Sequence, residues 1–283
     1  MTAREPTKTF LNSRTFIAFD TETTGMWAAA NRVVEIGAVK FQPGRDEYET
    51  FQSLINPERP IPEDVIEIHG ITDEMVAGQE TVRPVLERFI DFCGKDSILI
   101  AHNAPFDISF ISCELDRTGL TFGDNLIIDT VDIARRFFPQ LPSYSLLSLS
   151  KQFDIVEFQN HRALSDALMV WKLFLRIKEK FPPVANLREF KKLLTTYTMS
   201  QWKVEQRELP EEYLPLKQAI DNNLPVEIVY AGVGKAAQAR VIRPIEVHCL
   251  GAIFYINAFC EKAKAERTFR LDRIESFRLL TDQ

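Results

Sequence analysis

Residues 15–25 read TFIAFDTETTG, and they form the first predicted strand together with the turn that ends it. The first half is rich in Phe, Ile and Thr, as strands are, and Thr-Thr-Gly follows as a turn. Asp20 and Glu22 stand two positions apart, so an extended backbone places both carboxylates on one face. Like charges at that spacing repel unless a cation lies between them. By itself the stretch fits either a solvated strand end or one side of a metal site.

Around this strand the sequence predicts a mixed sheet with flanking helices. The first three predicted strands have short connections, which favour an antiparallel meander. Later strands alternate with helices, a pattern typical of a parallel continuation, and a long amphipathic helix is expected over about 163–180. The predicted strands lie at residues 15–20, 33–41, 50–55, 97–101 and 126–128. The fold class is therefore α/β over residues 1–181.

Two different segments follow this domain. Residues 182–212 are polar, charged and flanked by proline, which predicts a linker that contains one amphipathic helical stretch. Residues 213–283 begin with a short helix and continue with five predicted short strands, a pattern typical of a small barrel. The chain is thus expected to combine an α/β domain with an all-β domain.

Composition limits the class of protein. The chain has 283 residues, of which 45% are hydrophobic and 26% charged, which suits a folded protein and excludes disorder. No apolar run approaches the roughly 18 residues of a membrane span and no signal peptide opens the chain, so a cytoplasmic location without a membrane partner is expected. A net charge of −6 argues against coating nucleic acid by bulk electrostatics. Four cysteines without C-x-x-C spacing predict reduced, mostly buried thiols.

Two later stretches supply further acidic residues. HNAPFD, residues 102–107, predicts a helix with Asn103 as its cap and Asp107 in its opening turn, at the sheet edge where ligands bind. HRALSDA, residues 161–167, opens the long helix. Five helical positions rotate by about 140°, so His161 shares a site with Asp166 only from the preceding loop. Each stretch alone has an ordinary explanation, because an aspartate in the first turn of a helix interacts favourably with the helix dipole and a histidine in a loop is usually solvated.

Together, Asp20, Glu22, Asp107 and Asp166, with His161 five positions before the last acid, resemble the signature of the DEDDh 3′ to 5′ exonucleases. This is the family of proofreading subunits and ribonuclease T-like enzymes. The motifs FDTETTG, HNAPFD and HRALSDA carry the resemblance, which covers about residues 15–178. It implies a ribonuclease H-like fold, which agrees with the predicted mixed sheet.

The resemblance also implies the chemistry. The four acids would bind two divalent cations, Mg²⁺ or Mn²⁺, with Asp20 bridging both, and His161 would be the general base. Hard oxygen ligands suit these cations, and the pKa of a histidine lies near neutrality. Two cations side by side are a known arrangement for hydrolysing phosphodiester bonds.

Further residues of this family contact the 3′-terminal nucleotide. The resemblance implies that Thr21, Thr23 and Thr24 offer backbone N–H groups and hydroxyls to it. The segment His69-Gly70-Ile71-Thr72 is similar to a family element whose apolar residue wedges against the terminal bases, although Ile71 fits a place in the core equally well. The other candidate substrate contacts are His69, Asn103 and Phe106; the helical spacing of Phe106 and Phe110 favours packing.

The C-terminal region resembles a second family, the WYL domains. The tripeptide Phe254-Tyr255-Ile256 stands where the family has Trp-Tyr-Leu, and the resemblance spans about residues 213–281. It implies an SH3- or Sm-like barrel that binds nucleic acid or a nucleotide-like ligand. The candidate contacts are Arg243, Tyr255, Arg267, Arg270 and Arg273. Strand alternation does not prove a single basic cluster, so solvated strand arginines are the alternative.

Three hypotheses of function follow. The leading one is a metal-dependent 3′ to 5′ exonuclease acting on nucleic acid with a free 3′ end, preferably single-stranded DNA, with a C-terminal domain that binds nucleic acid or a small regulatory ligand. An exoribonuclease of the same mechanism is the first alternative, because nothing in the motifs senses a 2′-hydroxyl. The second alternative is a non-catalytic regulator, which would have no evident reason to keep four mutually repelling carboxylates.

Overall fold

The computed structural model describes residues 10–155, 160–202, 209–232, 236–250 and 253–280. The chain divides into two compact units. The first comprises Met1–Met26 and Arg32–Lys203, and the second comprises Trp27–Asn31 and Val204–Gln283. Among the described residues, no helix has the length and apolar character needed to cross a membrane. Cys93, Cys113 and Cys260 are free and buried, as expected.

A five-stranded mixed sheet lies at the centre of the first unit, with the strand order β3-β2-β1-β4-β5. Strands β1 and β2 and strands β2 and β3 pair antiparallel, whereas β4 pairs parallel with both β1 and β5. The strands are β1 (Phe16–Thr23), β2 (Val33–Phe41), β3 (Tyr48–Leu54), β4 (Ile98–Ala101) and β5 (Ile127–Asp129). The predicted meander with a parallel continuation, and with it the α/β class, is confirmed.

Helices pack against this sheet. The described helices of the unit include α1 (Glu63–His69), α2 (Asp73–Val76), α3 (Val82–Cys93), α4 (Ala104–Thr118), α5 (Thr130–Phe137), α6 (Leu146–Gln152), α7 (Ala163–Ile177) and α8 (Leu187–Leu193). The helix α7 packs against β1 and β2, where Phe174 meets Phe16 and Phe41 in the core. Because β1 is covered on both faces, its apolar residues form a continuous buried run.

Residues 182–202, which the sequence analysis placed in a linker, instead pack on the first unit. Val184, Phe190 and Leu194 are buried in its main core. Tyr197 exchanges backbone hydrogen bonds with Ile127 of β5, at 2.8 and 2.9 Å. The spacing of the apolar residues marks a face that the core covers, so the segment belongs to the domain.

The second unit contains a five-stranded antiparallel sheet in the order β10-β6-β7-β8-β9. Its elements are α9 (Leu214–Asp221), β6 (Val226–Tyr230), β7 (Gln238–Leu250), β8 (Ile253–Cys260), β9 (Ala265–Arg270) and β10 (Ile274–Leu279). Leu216 of α9 packs with Ile228 and Ile256 in the core. In the part of the chain that the structure describes, β9 and β10 remain unpaired edges, so the sheet is open and the closed barrel is not observed.

The second unit is discontinuous in sequence, since it includes Trp27–Asn31. The Trp27 ring lies 5.1 Å from the Tyr255 ring, and the Asn257 side-chain amide donates to the Ala30 carbonyl at 3.5 Å. Tyr255 and Asn257 are both buried.

Candidate active site

The carboxyl half of β1 carries Asp20 and Glu22, which lie on one face as predicted. Asp166 joins them from the first turn of α7, because that helix packs across β1 and β2. One oxygen of each of the three carboxylates lies within 4.8 Å of the others. Three of the four predicted ligands therefore meet at one place, two from β1 and one from more than 140 positions later in the chain.

Asp107 lies beside this group of three rather than within it. It is buried in the opening turn of α4, and its Oδ1 accepts the Thr21 backbone N–H at 2.9 Å and the Thr21 hydroxyl at 2.7 Å. Among the neighbouring carboxylates, Asp107 raises the pKa of Asp20 the most. Asp107 is thus close to the group, with one oxygen held by β1 and the other as the potential ligand atom.

Burial raises the pKa values of Asp20, Glu22 and Asp107, and repulsion from neighbouring carboxylates adds to this effect at Asp20 and Glu22. Burial, reinforced by the charges of Asp166, Glu35 and Asp107, raises the pKa of Glu22 to about 8. The pKa of Asp20 is raised well above its ordinary value by burial and then by Asp107, and burial raises that of Asp107 to about 7. A cation would stabilise the ionised forms. The donor set consists only of carboxylate oxygens, so it fits a hard divalent cation.

His161 precedes α7 and lies outside the helix, at the loop position that its distance from Asp166 requires. Its side chain is exposed, and its backbone is in the left-handed region with φ 48°. The side chain is not part of the group of three carboxylates.

Glu35 and Arg162 are site residues that the sequence analysis missed. The Arg162 guanidinium donates to both carboxylate oxygens of Glu35, from Nη2 at 2.7 Å and from Nε at 3.0 Å. Burial acts to raise the pKa of Glu35, but the hydrogen bonds from Arg162, Gln52 and Ala163 lower it below its ordinary value. The available signal was a lone acid within the apolar strand sequence VVEIGAV.

The threonines of the first motif make contacts within the protein. Thr21 donates to Asp107, the Thr23 hydroxyl donates to the Gly25 carbonyl at 2.7 Å, and the Thr24 hydroxyl accepts the backbone N–H of Arg32 at 3.0 Å. All three threonines are buried. Their hydroxyls therefore stabilise the strand end and its turn, and contact of this segment with a 3′-terminal nucleotide stays a prediction.

His69 and Ile71 are also buried. The Nδ1 atom of His69 accepts the N–H of Ile71 at 3.0 Å, and its Nε2 lies 3.3 Å from the Thr23 carbonyl. Burial lowers the pKa of His69, which favours the neutral ring that this arrangement needs. Ile71 has no exposed surface and packs with Val34 and Val76, so it occupies the core and does not form a wedge at a surface.

Of the two remaining candidate substrate contacts, Asn103 is exposed and Phe106 is half-buried. Asn103 is exposed and occupies the N-cap position of α4, but its backbone is left-handed and its side chain makes no capping bond. Its N–H instead donates to Asp129 Oδ1 at 2.9 Å. The half-buried ring of Phe106 lies 4.9 Å from that of Phe110, which supports the packing alternative.

The candidate arginines of the second unit do not form one cluster. The sheet register places Arg270 opposite Tyr255 and Arg267 opposite Ala258, so these two arginines lie on opposite faces. Arg270 is bidentate to Asp272, at 2.7 and 3.0 Å. The other candidates also have separate surroundings: Arg243 pairs with Glu261 at 2.9 Å, and Arg273 lies in the 3₁₀ turn Leu271–Arg273.

Two family models match the chain. The model described as Exonuclease (RNase_T) matches residues 17–174, and the WYL domain model matches residues 211–279. These matches agree with the division of the structure into an α/β unit and an all-β sheet.

Curated relatives include DNA polymerase III PolC-type proteins. The Listeria welshimeri protein is 38% identical over 173 residues, which are 60% of this chain and 12% of that protein. The Halalkalibacterium halodurans protein is 39% identical over 162 residues, which are 57% of this chain and 11% of that protein. The chain thus spans about an eighth of the length of the relatives it matches.

Solved structures share the fold at low sequence identity. A full-length 3′-exonuclease has a TM-score of 0.53 at 19% identity and covers 60% of this chain and 61% of its own. The nuclease domain of 3′hExo, described as a DEDDh family member bound to rAMP, has a TM-score of 0.52 at 18% identity and covers 58% and 92%. At these identities the likeness establishes the fold alone.

Proposed function

Because this chain belongs to the Exonuclease family, we propose that it removes nucleotides from the 3′ end of nucleic acid by metal-dependent hydrolysis. The observation that carries the proposal is the group formed by Asp20, Glu22 and Asp166, with carboxylate oxygens within 4.8 Å. The raised pKa values of Asp20 and Glu22 suit a site that a cation completes.

Asp20, Glu22, Asp107 and Asp166 would hold two divalent cations, Mg²⁺ or Mn²⁺. When bound, such cations polarise the phosphate and lower the pKa of a water molecule. The chain itself supplies orientation, since Thr21 fixes one oxygen of Asp107 and the packing of α7 fixes Asp166. His161 would accept the proton of the attacking water, a role that suits a histidine at neutral pH.

Single-stranded DNA is the proposed substrate. The relatives named as DNA polymerases support this choice, since they are 38–39% identical, whereas the fold neighbour bound to rAMP is 18% identical. An exoribonuclease activity is the alternative to be measured, because no described side chain of the site is assigned to a 2′-hydroxyl.

The direct test uses 5′-labelled single-stranded DNA and RNA of one sequence with the full chain. We expect a ladder of DNA products shortened from the 3′ end in Mg²⁺ or Mn²⁺, and none with a chelator. Asp166→Asn should leave the DNA intact, and Glu49→Gln, an exposed acid on β3, is the matched control. Intact DNA with the wild type, or internal cuts only, would exclude the proposal, and faster loss of RNA would reverse the substrate order.

For the second unit we propose a binding role at the face of β8 and β9 that carries Tyr255 and Arg270. The cross-strand pairing of these residues supports it, since the partly exposed Arg270 guanidinium suits a phosphate contact and the buried Tyr255 ring lies opposite it. Arg243 shares this face through its pairing with Phe259. Arg267 lies on the other face, so its part in the same site is not proposed.

A further inference from the structure

We propose that Glu35 is a positioning residue, which acts through Arg162 to hold the backbone of His161 in place. The inference rests on the proposed function, in which His161 is the general base. It concerns a residue of β2 that contributes no oxygen to the group of three carboxylates.

The contacts of Glu35 converge on the residues that follow His161. Its carboxylate has no exposed surface and accepts two hydrogen bonds from the Arg162 guanidinium. It also accepts the backbone N–H of Ala163 at 3.0 Å and the Gln52 side-chain amide at 2.9 Å. One buried carboxylate on β2 therefore holds two consecutive residues of the loop and helix start, by side chain and by main chain.

His161 needs such support because its own side chain is exposed, so packing in the core does not set its position. Its φ of 48° lies in the left-handed region, which a non-glycine residue keeps only where its surroundings impose it. The bonds from Glu35 to Arg162 and Ala163 impose the path of the chain directly after His161. A displacement of about 1 Å at a reacting group is enough to slow catalysis markedly.

The sequence of β2 fits this role. Its neighbours Val33, Val34 and Ile36 are buried and apolar, so burial alone favours an apolar residue at position 35. Glu35 also lies opposite Glu22, where a second buried negative charge is costly without a partner. Two residues on, a Cβ at Gly37 would collide with the backbone of Ala163 and Leu164. The strand β2 thus provides the carboxylate that binds Arg162 and Ala163, and at Gly37 it leaves room for the backbone of Ala163 and Leu164 to pack against it.

The experiment is a double-mutant cycle with Glu35→Gln and His161→Ala on single-stranded DNA at saturating cation. Glutamine has the size of glutamate but only one acceptor oxygen, so it cannot accept both bonds of the Arg162 guanidinium, one at each carboxylate oxygen. We expect Glu35→Gln to lower kcat about 10- to 100-fold with KM changed less than about threefold. In the His161→Ala background the additional loss should be less than about threefold.

Two further variants separate positioning from folding. Glu114→Gln is the matched control, because Glu114 is also fully buried and lies 2.8 and 3.2 Å from two arginines, Arg32 and Arg117. It should reduce Tm but keep kcat within about threefold. If Glu35→Gln does not fold, Arg162→Lys replaces it in the cycle, since lysine keeps the charge but not the bidentate contact.

Hydrogen exchange at residues 161–163 gives a readout that is independent of turnover. It should be at least about tenfold faster in Glu35→Gln, and unchanged in Glu114→Gln. Equal kcat losses in both His161 backgrounds, or unchanged exchange, would overturn the inference while leaving an active exonuclease. An inactive wild type would instead remove the proposed function and with it the catalytic role of Glu35.

Discussion

Glu22 and Glu35 lie directly opposite each other on neighbouring strands, yet their surroundings give them opposite properties. Burial and three further carboxylates raise the pKa of Glu22 to about 8. Burial acts on Glu35 too, but donors from Arg162, Gln52 and Ala163 lower its pKa. The comparison shows that hydrogen-bond donors decide the role of each acid. Glu22, which lies among carboxylates, suits cation binding, whereas Glu35, which receives donors from Arg162, Gln52 and Ala163, is already neutralised by the protein.

The largest expected effect tests the cation-binding side. Asp20→Asn removes a charge from the group of three carboxylates and should lower kcat by on the order of 10³-fold. The measurement is single-turnover cleavage of labelled DNA over a range of Mg²⁺ concentrations. Turnover near the wild-type level would remove the metal assignment, since the remaining acids would then suffice without Asp20.

The second prediction compares the stability of variants at Glu35 and Glu22, measured in the presence of a chelator so that no cation is bound. Glu35→Gln breaks a buried ion pair and should destabilise the protein by about 2–3 kcal/mol, whereas Glu22→Gln should raise Tm at pH 8. The pKa of Glu22 lies above its ordinary value of 4.5, so ionisation destabilises the fold as pH rises from about 4.5 to about 8. Thermal unfolding of both variants checks this. Shifts of the same sign would contradict the comparison.

The third prediction concerns cation binding and pH. Glu22 releases its proton near pH 8, and a bound cation favours the ionised form. The rise in Tm on adding Mg²⁺ should therefore increase from pH 6 to pH 8, and this increase should be smaller in Glu22→Gln. Unfolding curves with and without Mg²⁺ at each pH measure it. A Mg²⁺ effect that is constant with pH would argue that protons and cations do not compete.

The smallest expected effect lies in the second unit. Arg270→Ala should weaken DNA binding by less than about tenfold and reduce its salt dependence by about one phosphate contact, with kcat unchanged at saturation. Asp272→Asn is its counterpart, because it removes the acid that pairs with Arg270 and should strengthen binding. Titrations over a salt series compare the two. Identical affinities in both variants would count against this face as the binding site.

The sequence predicted those parts of the site that depend on local geometry. Alternation along β1 placed Asp20 and Glu22 on one face, and helical rotation required a loop position for His161. The Glu35–Arg162 pair escaped prediction because its members stand 127 positions apart, and no local pattern joins them. The Thr21 hydroxyl was assigned to substrate for the same reason, since its partner Asp107 lies 86 positions away.

The linker was mispredicted and the closed barrel was not confirmed, because both depend on tertiary contacts that no local sequence pattern shows. The amphipathic stretch around Phe190 was visible, but whether a core would cover it depends on the tertiary fold, and the structure buries it. The strands after Pro225 were also visible, but their number does not determine whether a sheet closes. In the described residues the edges formed by β9 and β10 stay apart.

The discontinuous second unit has a practical consequence for dissecting this chain. Because Trp27–Asn31 belong to it, no single cleavage of the polypeptide yields both units complete. A fragment that starts at residue 209 would lack the indole ring beside Tyr255 and would present that tyrosine to solvent. Poor solubility of such a fragment would then reflect a missing segment of its own folded unit, and a synthetic peptide covering residues 27–31 should restore solubility in trans.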